Sequence, residues 1–218
     1  MGKLAFILGY YILRLFFKYR LHLSIKGLHN LPDSGGYVIA ANQKSFIDIP
    51  LIFAALPLTA ALNLSFLVSL RHKKKKWLTW LLGEKIIFVK NIIGISEAMH
   101  NITNALSRKK IVLIFPEGDW NMETEILPFY PGVGAISSIS KALVIPTYIH
   151  NSGNALPEGS FYIRKEPVSI VFGQAMQAIQ LRAVIKKSIQ YRKFSEDLQK
   201  CILELRDGYL QGSSESGL

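Results

Sequence analysis

Cysteine is almost absent: Cys201 is the single thiol in 218 residues. That excludes an intramolecular disulfide, and nothing in the chain asks for an oxidising compartment. Cys201 falls in the apolar stripe Phe194, Leu198, Cys201, Ile202 and Leu205, and reads as a small core residue rather than a reactive thiol. Acids are scarce as well, 15 against 26 Lys and Arg, for a formal net charge of +11. Such an excess implies an anionic partner, either nucleic acid or the acidic face of a bilayer. No nucleic-acid recognition motif is present. Half of the residues are hydrophobic and the mean hydropathy is +0.24, which favours the membrane.

Also missing is an uninterrupted apolar run of the ~20 residues a spanning helix needs. Leu4 to Phe17 is nearly all apolar, but Arg14 and then Lys18 break it. On a helix Lys3, Ile7, Tyr10, Arg14 and Lys18 share one narrow stripe. This predicts residues 1–20 as an amphipathic helix in the membrane interface, its cations reaching for lipid phosphates. An ordinary packed helix is the competing reading. A cleaved signal peptide is disfavoured by Arg14 and by the lack of a small-x-small site before His22. The densest basic run, Arg71-His72-Lys73-Lys74-Lys75-Lys76, adjoins Trp77 and Trp80. A solvated face is the default for such a run, yet the paired indoles favour a seat at headgroup level.

No internal repeat or long linker interrupts the chain, and its length suits one domain. Strands are predicted at His22–Leu28, Tyr37–Ala41, Leu64–Ser69, Lys85–Val89, Ile111–Phe115, Leu143–Tyr148 and Ser169–Phe172. Helices alternate with them: one through Ala54 and Ala55, Lys74–Leu82, one capped by Ser96 with Met99, Ile102 and Leu106 inward, and Gly134–Lys141. A last helix ends near Gly208, leaving 209–218 as a flexible tail after a domain over 21–208. The alternation predicts an α/β fold, a mixed central sheet flanked by helices with the N-terminal helix beside it. Three segments begin where a strand ends: Asn42–Asp48, Lys90 and Pro116–Asp119. Ligands collect at such edges.

These segments carry four blocks: Asn42-Gln43-Lys44-Ser45-Phe46-Ile47-Asp48; Gly83 through Phe88-Val89-Lys90; Phe115-Pro116-Glu117-Gly118-Asp119-Trp120; and Val144-Ile145-Pro146-Thr147. Ile25-Lys26-Gly27 and Leu31-Pro32 precede the first, Pro128-Phe129 and Gly132 follow the third, and Val171-Phe172-Gly173 follows the fourth. In order and spacing over residues 22–175 they resemble the lysophospholipid acyltransferase family, which includes the 1-acylglycerol-3-phosphate acyltransferases. In that family the first block reads Asn-His-x-Ser-x-x-Asp and the third Phe-Pro-Glu-Gly-Thr-Arg.

The resemblance implies transfer of an acyl chain from acyl-CoA or acyl carrier protein to a lysolipid hydroxyl in phospholipid biosynthesis, without a metal or cofactor. It also implies attachment to the cytoplasmic face of a membrane, in bacteria the inner one. The chemistry needs a base, since an alcohol is a poor nucleophile at neutral pH, and histidine suits it. Here Gln43 stands in that place, and a carboxamide takes no proton. Gln43 and Asp48 are the expected catalytic pair, holding the hydroxyl. Asn42, Ser45, Lys90, Phe115, Pro116, Glu117 and Gly118 are expected to bind substrate. Arg14, Lys18, Lys73, Lys74, Lys75, Lys76, Trp77 and Trp80 are expected to touch anionic lipid. Asp119 and Trp120 replace Thr and Arg, exchanging a cation for an anion. Lys90 for Arg loses the bidentate fork. The alternative is a pseudoenzyme binding lipid or a partner acyltransferase. His150 closes the fourth-block strand and is read as a surface or capping residue. Ser45-x-x-Asp48 also has the form of a capping box, with Pro50 in the first turn.

Overall fold

In a computed structural model, the described residues are 3–69, 86–89, 95–118, 125–178 and 187–215. Several residues singled out above therefore lie outside them: Lys73 to Lys76, Trp77, Trp80, Lys90, Asp119, Trp120 and the helix predicted at Lys74–Leu82.

Seven strands form one mixed sheet: β1 (Ser24–Lys26), β2 (Val38–Ala41), β3 (Leu64–Ser69), β4 (Ile86–Val89), β5 (Ile111–Ile114), β6 (Val144–His150) and β7 (Ser169–Phe172). Their spatial order is β1-β7-β6-β2-β5-β3-β4, and each neighbouring pair is parallel except β6 with β7. The central strands are apolar on both faces, as parallel strands covered on both sides must be. Ile39 and Ala41 of β2 face one core with Leu113 and Ile145, while Val38 and Ala40 face the other with Val112 and Val144. The first core is closed by α1 (Lys3–Arg20), α2 (Asp48–Ala55) and α3 (Leu58–Asn63). The second is closed by α4 (Ile95–Ser107), α5 (Gly132–Ser140) and α7 (Lys187–Glu215), with the short α6 (Ser152–Ala155) between β6 and β7.

Helix α1 is apolar around most of its circumference, and its two faces meet different fates. Tyr10, Phe17 and then Leu21 are buried in the first core. Tyr10 donates its hydroxyl to the Leu56 carbonyl at 2.8 Å. Arg14 is turned the same way, donating to Tyr10 Oη and to the Leu56 carbonyl. Arg14 thus departs from the expectation of a phosphate-seeking cation: with Tyr10 it shares the Leu56 carbonyl at the C-terminal end of α2. Lys18 remains exposed. Opposite lie Leu4, Leu8, Tyr11, Ile12, Leu15, Phe16 and Tyr19, uncovered at the 3–4 spacing of a single helix face. Among the described residues no helix is long and apolar enough to cross a membrane.

Several boundaries move, among them β6, which runs over Val144–His150, and α5, which starts at Gly132; two of the shifts have a visible cause. The strand predicted at His22–Leu28 shrinks to β1 because Gly27 takes φ 75° and opens a 3-10 turn over Leu28–Asn30. A Cβ on Gly27 would sit 2.0 Å from the Phe172 carbonyl oxygen, so the Gly27 and Phe172-Gly173 motifs, far apart in sequence, are spatial neighbours. The last helix does not stop at Gly208. It continues to Glu215, correcting the flexible tail predicted from 209, because Tyr209 bonds Ser169 Oγ through its hydroxyl at 2.8 Å and lies under Lys26 Nζ. That packing offsets the ~1 kcal/mol cost of a helical glycine. Ser96 lies inside α4 rather than before it, while Ile102 and Leu106 are buried and Met99 packs beside them. Cys201 is half-buried, and burial raises its thiol pKa, which keeps it inert.

Candidate active site

Strands β6, β2 and β5 are adjacent and parallel, so their carboxyl ends deliver three loops to one edge. Asn42, one residue past β2, fastens two of them. Its Nδ2 donates to the Ile149 carbonyl at 3.0 Å and its Oδ1 accepts from the Ile149 amide at 2.7 Å. Glu117 fastens the third. The Gln43 amide donates to Oε1 at 3.0 Å and the Leu127 amide to Oε2 at 2.9 Å. Each of these side chains is buried, and buried polar groups that are satisfied fix a backbone more firmly than apolar contact does. Glu117 leaves the strand through a turn that Gly118 alone permits. Its φ is +79°, and a Cβ there would meet the Tyr130 ring at 2.5 Å. Pro116 accepts the Tyr130 amide and is buried; Phe115 is half-buried against the first core.

Asp48 opens α2 and is wholly buried. Its Oδ2 accepts from the amides of Lys44 and Ser45, both at 2.8 Å. The second of these is the acidic half of a capping box. The other half is not made: the Asp48 amide donates to the Ser45 carbonyl at 3.2 Å, while Ser45 Oγ donates to the Leu156 carbonyl at 2.8 Å. Among the described residues, Asp48 Oδ1 and Ser152 Oγ are buried side-chain oxygens without a hydrogen-bond partner. Burial lifts the Asp48 pKa to about 6. Glu117 adds to the rise, while the nearby Ser152 hydroxyl and the two amides oppose it. Ser152 is close enough to favour the anion without reaching hydrogen-bond geometry. Gln43 is 7% exposed, and among the described residues its carboxamide makes no hydrogen bond. The glutamine therefore does not occupy the free oxygen of Asp48.

Residues 22–150 match the family described as Acyltransferase. The chain belongs to the acyltransferase family. It is 23% identical over 167 residues to the 1-acyl-sn-glycerol-3-phosphate acyltransferase alpha of Ovis aries, and equally to that of Homo sapiens. Each match takes in 73% of this chain and 54% of the relative, so the chain spans about half the length of the curated relatives it matches. Its fold is shared with the crystal structure of the 1-acyl-sn-glycerophosphate (LPA) acyltransferase, PlsC, from Thermotoga maritima. That similarity has a TM-score of 0.68 at 18% identity and covers 93% of this chain and 81% of the other.

Within the acyltransferase fold, Asn42, Gln43, Ser45, Asp48, Phe115, Pro116, Glu117 and Gly118 come together at the sheet edge as their spacing predicts. Two of them take roles the sequence did not reveal. Asn42 and Glu117 have their polar atoms turned to backbone partners, so they hold the loops in place. Ser152 carries no motif and was missed; its only signal is a position just past the fourth-block strand.

His150 also departs from expectation. It lines a cavity of about 460 Å³ with Asn42, Lys44, Tyr148 and Arg206, on the same edge. Its ring stacks on Tyr209 at 4.9 Å, Nδ1 meets Tyr148 Oη at 3.2 Å, and burial lowers its pKa, favouring the neutral imidazole. Lys44 Nζ donates to the Glu125 carbonyl, and Arg206 pairs with the Glu125 carboxylate at 2.8 Å. No group of three or more His, Cys, Asp and Glu among the described residues is placed to hold a metal ion.

Proposed function

We propose that this protein transfers an acyl chain from a thioester, acyl-CoA or acyl carrier protein, to the free hydroxyl of a lysophospholipid such as 1-acylglycerol-3-phosphate, as a step of phospholipid biosynthesis. The observation that carries the reading is the arrangement of Asp48: buried at the sheet edge, one oxygen held by two amides, the other without a hydrogen-bond partner among the described residues. Asp48 is the base. It takes the hydroxyl proton as the hydroxyl oxygen bonds to the thioester carbonyl carbon. The C–S bond then breaks, and the proton passes from Asp48 to the departing sulfur. Gln43 positions the hydroxyl through its carboxamide without taking a proton. Lys90 binds the anionic group of the acceptor, and Ser45 and the Phe115–Gly118 turn shape its pocket. No cofactor enters the reaction.

The protein works attached to the membrane from one side, on the cytoplasmic face, with the outer face of α1 in the interface of an anionic bilayer. Lys73 to Lys76, Trp77 and Trp80 add to that seat. Support comes from the family membership and from seven exposed apolar residues on α1.

One observation favours a second reading, a lipid-binding protein without turnover: Gln43 cannot act as a base and is not bonded to Asp48. The test uses purified full-length protein in detergent with labelled acyl-CoA or acyl carrier protein and lysophosphatidate. Wild type is expected to turn over slowly and Asp48→Asn not at all. Lysolipid binding with no turnover by wild type would leave the second reading standing.

A further inference from the structure

The loop joining α6 to β7, residues 157–167, ends in the most exposed aromatic pair of the described chain. Phe161 is fully open to solvent and Tyr162 is 67% exposed. Lone exposed apolar residues are ordinary. These two differ because the loop holds them outward and because of what lies beside them. The Ser160 amide donates to the Pro157 carbonyl, Ser160 Oγ to the Tyr162 carbonyl, and the Arg164 amide to the Ala155 carbonyl. The tip is thus bonded at its base and shoulders, with the rings left outside.

Arg20, the last residue of α1, is the link to the rest of the surface. Its guanidinium lies 5.1 Å from the centre of the Tyr162 ring and donates twice to the Ile163 carbonyl, at 3.1 and 2.7 Å. A shallow depression of about 440 Å³ is lined by Leu15, Phe16, Tyr19 and Arg20 of α1 and by Lys165 of the loop. The exposed face of α1 and the loop therefore make one continuous apolar surface. Its polar border is mainly cationic: Lys18, Arg20, Arg164 and Lys165, against Glu158 and the half-buried Glu166. An apolar patch rimmed by cations fits an anionic bilayer better than another protein surface of this strongly basic chain.

We infer that the loop 157–167 is a second membrane-seating element, with Phe161 and Tyr162 entering the headgroup layer beside α1, Arg164 and Lys165 meeting lipid phosphates, and Arg20 tying the loop to the helix. This rests on the seating of α1 proposed above and adds to it. A single helix in the interface leaves the body free to roll about the helix axis, and a second contact off that axis stops the roll. The loop is also joined to the reaction site, since the Leu156 carbonyl, just before it, accepts from Ser45 Oγ of the first block. Its contact with the bilayer holds the Asn42–Asp48 loop at a set height for a lipid hydroxyl to arrive.

The test measures co-sedimentation of the full chain with vesicles of phosphatidylglycerol and phosphatidylcholine, and with phosphatidylcholine alone. Three proteins are compared: wild type, F161S/Y162S, and L8S/I12S on α1. The loop variant is expected to bind anionic vesicles roughly tenfold more weakly with an unchanged melting temperature, as does the α1 variant. Loss in the α1 variant with full binding in the loop variant overturns the loop proposal and leaves the α1 seating intact. Full binding by both overturns the seating itself. A separate F161W variant should be quenched more than wild type, with its Trp77, Trp80 and Trp120, by lipids brominated near the headgroup. No quenching beyond that of wild type, or a dimer in light scattering that F161S/Y162S abolishes, overturns the bilayer as partner in favour of a second copy of this chain.

Discussion

The sheet edge and the outer face of α1 are built on opposite principles. At the edge, Asn42, Glu117 and the backbone of Gln43 are buried, and their polar groups are spent on one another's loops. On α1, Leu8, Ile12 and Leu15 are apolar and largely exposed. The edge owes its shape to hydrogen bonds that any residue but proline at position 43 preserves, because Gln43 contributes its backbone amide rather than its side chain. Chemistry can therefore change there without a change of frame. The α1 face has no such frame, and its properties reside wholly in side-chain type.

The comparison breaks most readily at Glu117. Glu117→Ala leaves two loop amides without their acceptor, and should cost about 2–4 kcal/mol together with most of any turnover, read by denaturant melts and acyl transfer. Asn42→Ala removes both bonds to Ile149 and should cost about 2–3 kcal/mol. Asp48→Asn tests the pH side. The Asp48 pKa of about 6 lies above the ordinary carboxylate value, so the folded state holds this proton more tightly than the unfolded chain. Its stabilising contribution is complete in acid and lost as pH rises through about 6. Asp48→Asn should accordingly gain about 1–3 kcal/mol relative to wild type at pH 8 over pH 4, while turnover disappears. A melting difference that does not move with pH would contradict the burial argument. Gly118→Ala should cost about 1–2 kcal/mol through its positive φ and the Tyr130 ring. The smallest effect sharpens the contrast from the other side: L8S/I12S should change stability by less than about 0.5 kcal/mol, since neither side chain is packed.

Most of the strand order was not legible in sequence, yet the elements were, because β2, β5 and β6 are short β-branched runs with motifs at their ends. What sequence patterning misjudged has physical causes. Arg14 lies within an apolar helix and reads as a snorkelling cation until the Leu56 carbonyl is seen beneath it. Gly208 reads as a helix stop because the Tyr209–Ser169 bond that carries α7 past it spans 40 residues. Glu117 reads as a substrate contact, since spacing does not tell that its oxygens meet amides ten and seventy-four residues away. The raised pKa of Asp48 was invisible for the same reason: it comes from burial among segments distant in sequence, with Glu117 adding to it.

The most direct test is the pH dependence of single-turnover acyl transfer from acyl-CoA to lysophosphatidate by wild type and Gln43→His. With Asp48 as the base, wild-type turnover falls as pH drops through about 6, where the carboxylate takes a proton. Gln43→His should raise the rate on the order of 10²–10⁴-fold and introduce an imidazole ionisation into the profile. Turnover undetectable in wild type at every pH but restored in Gln43→His would contradict the assignment to Asp48. It would leave an acyltransferase fold that binds its lipid and lacks its base.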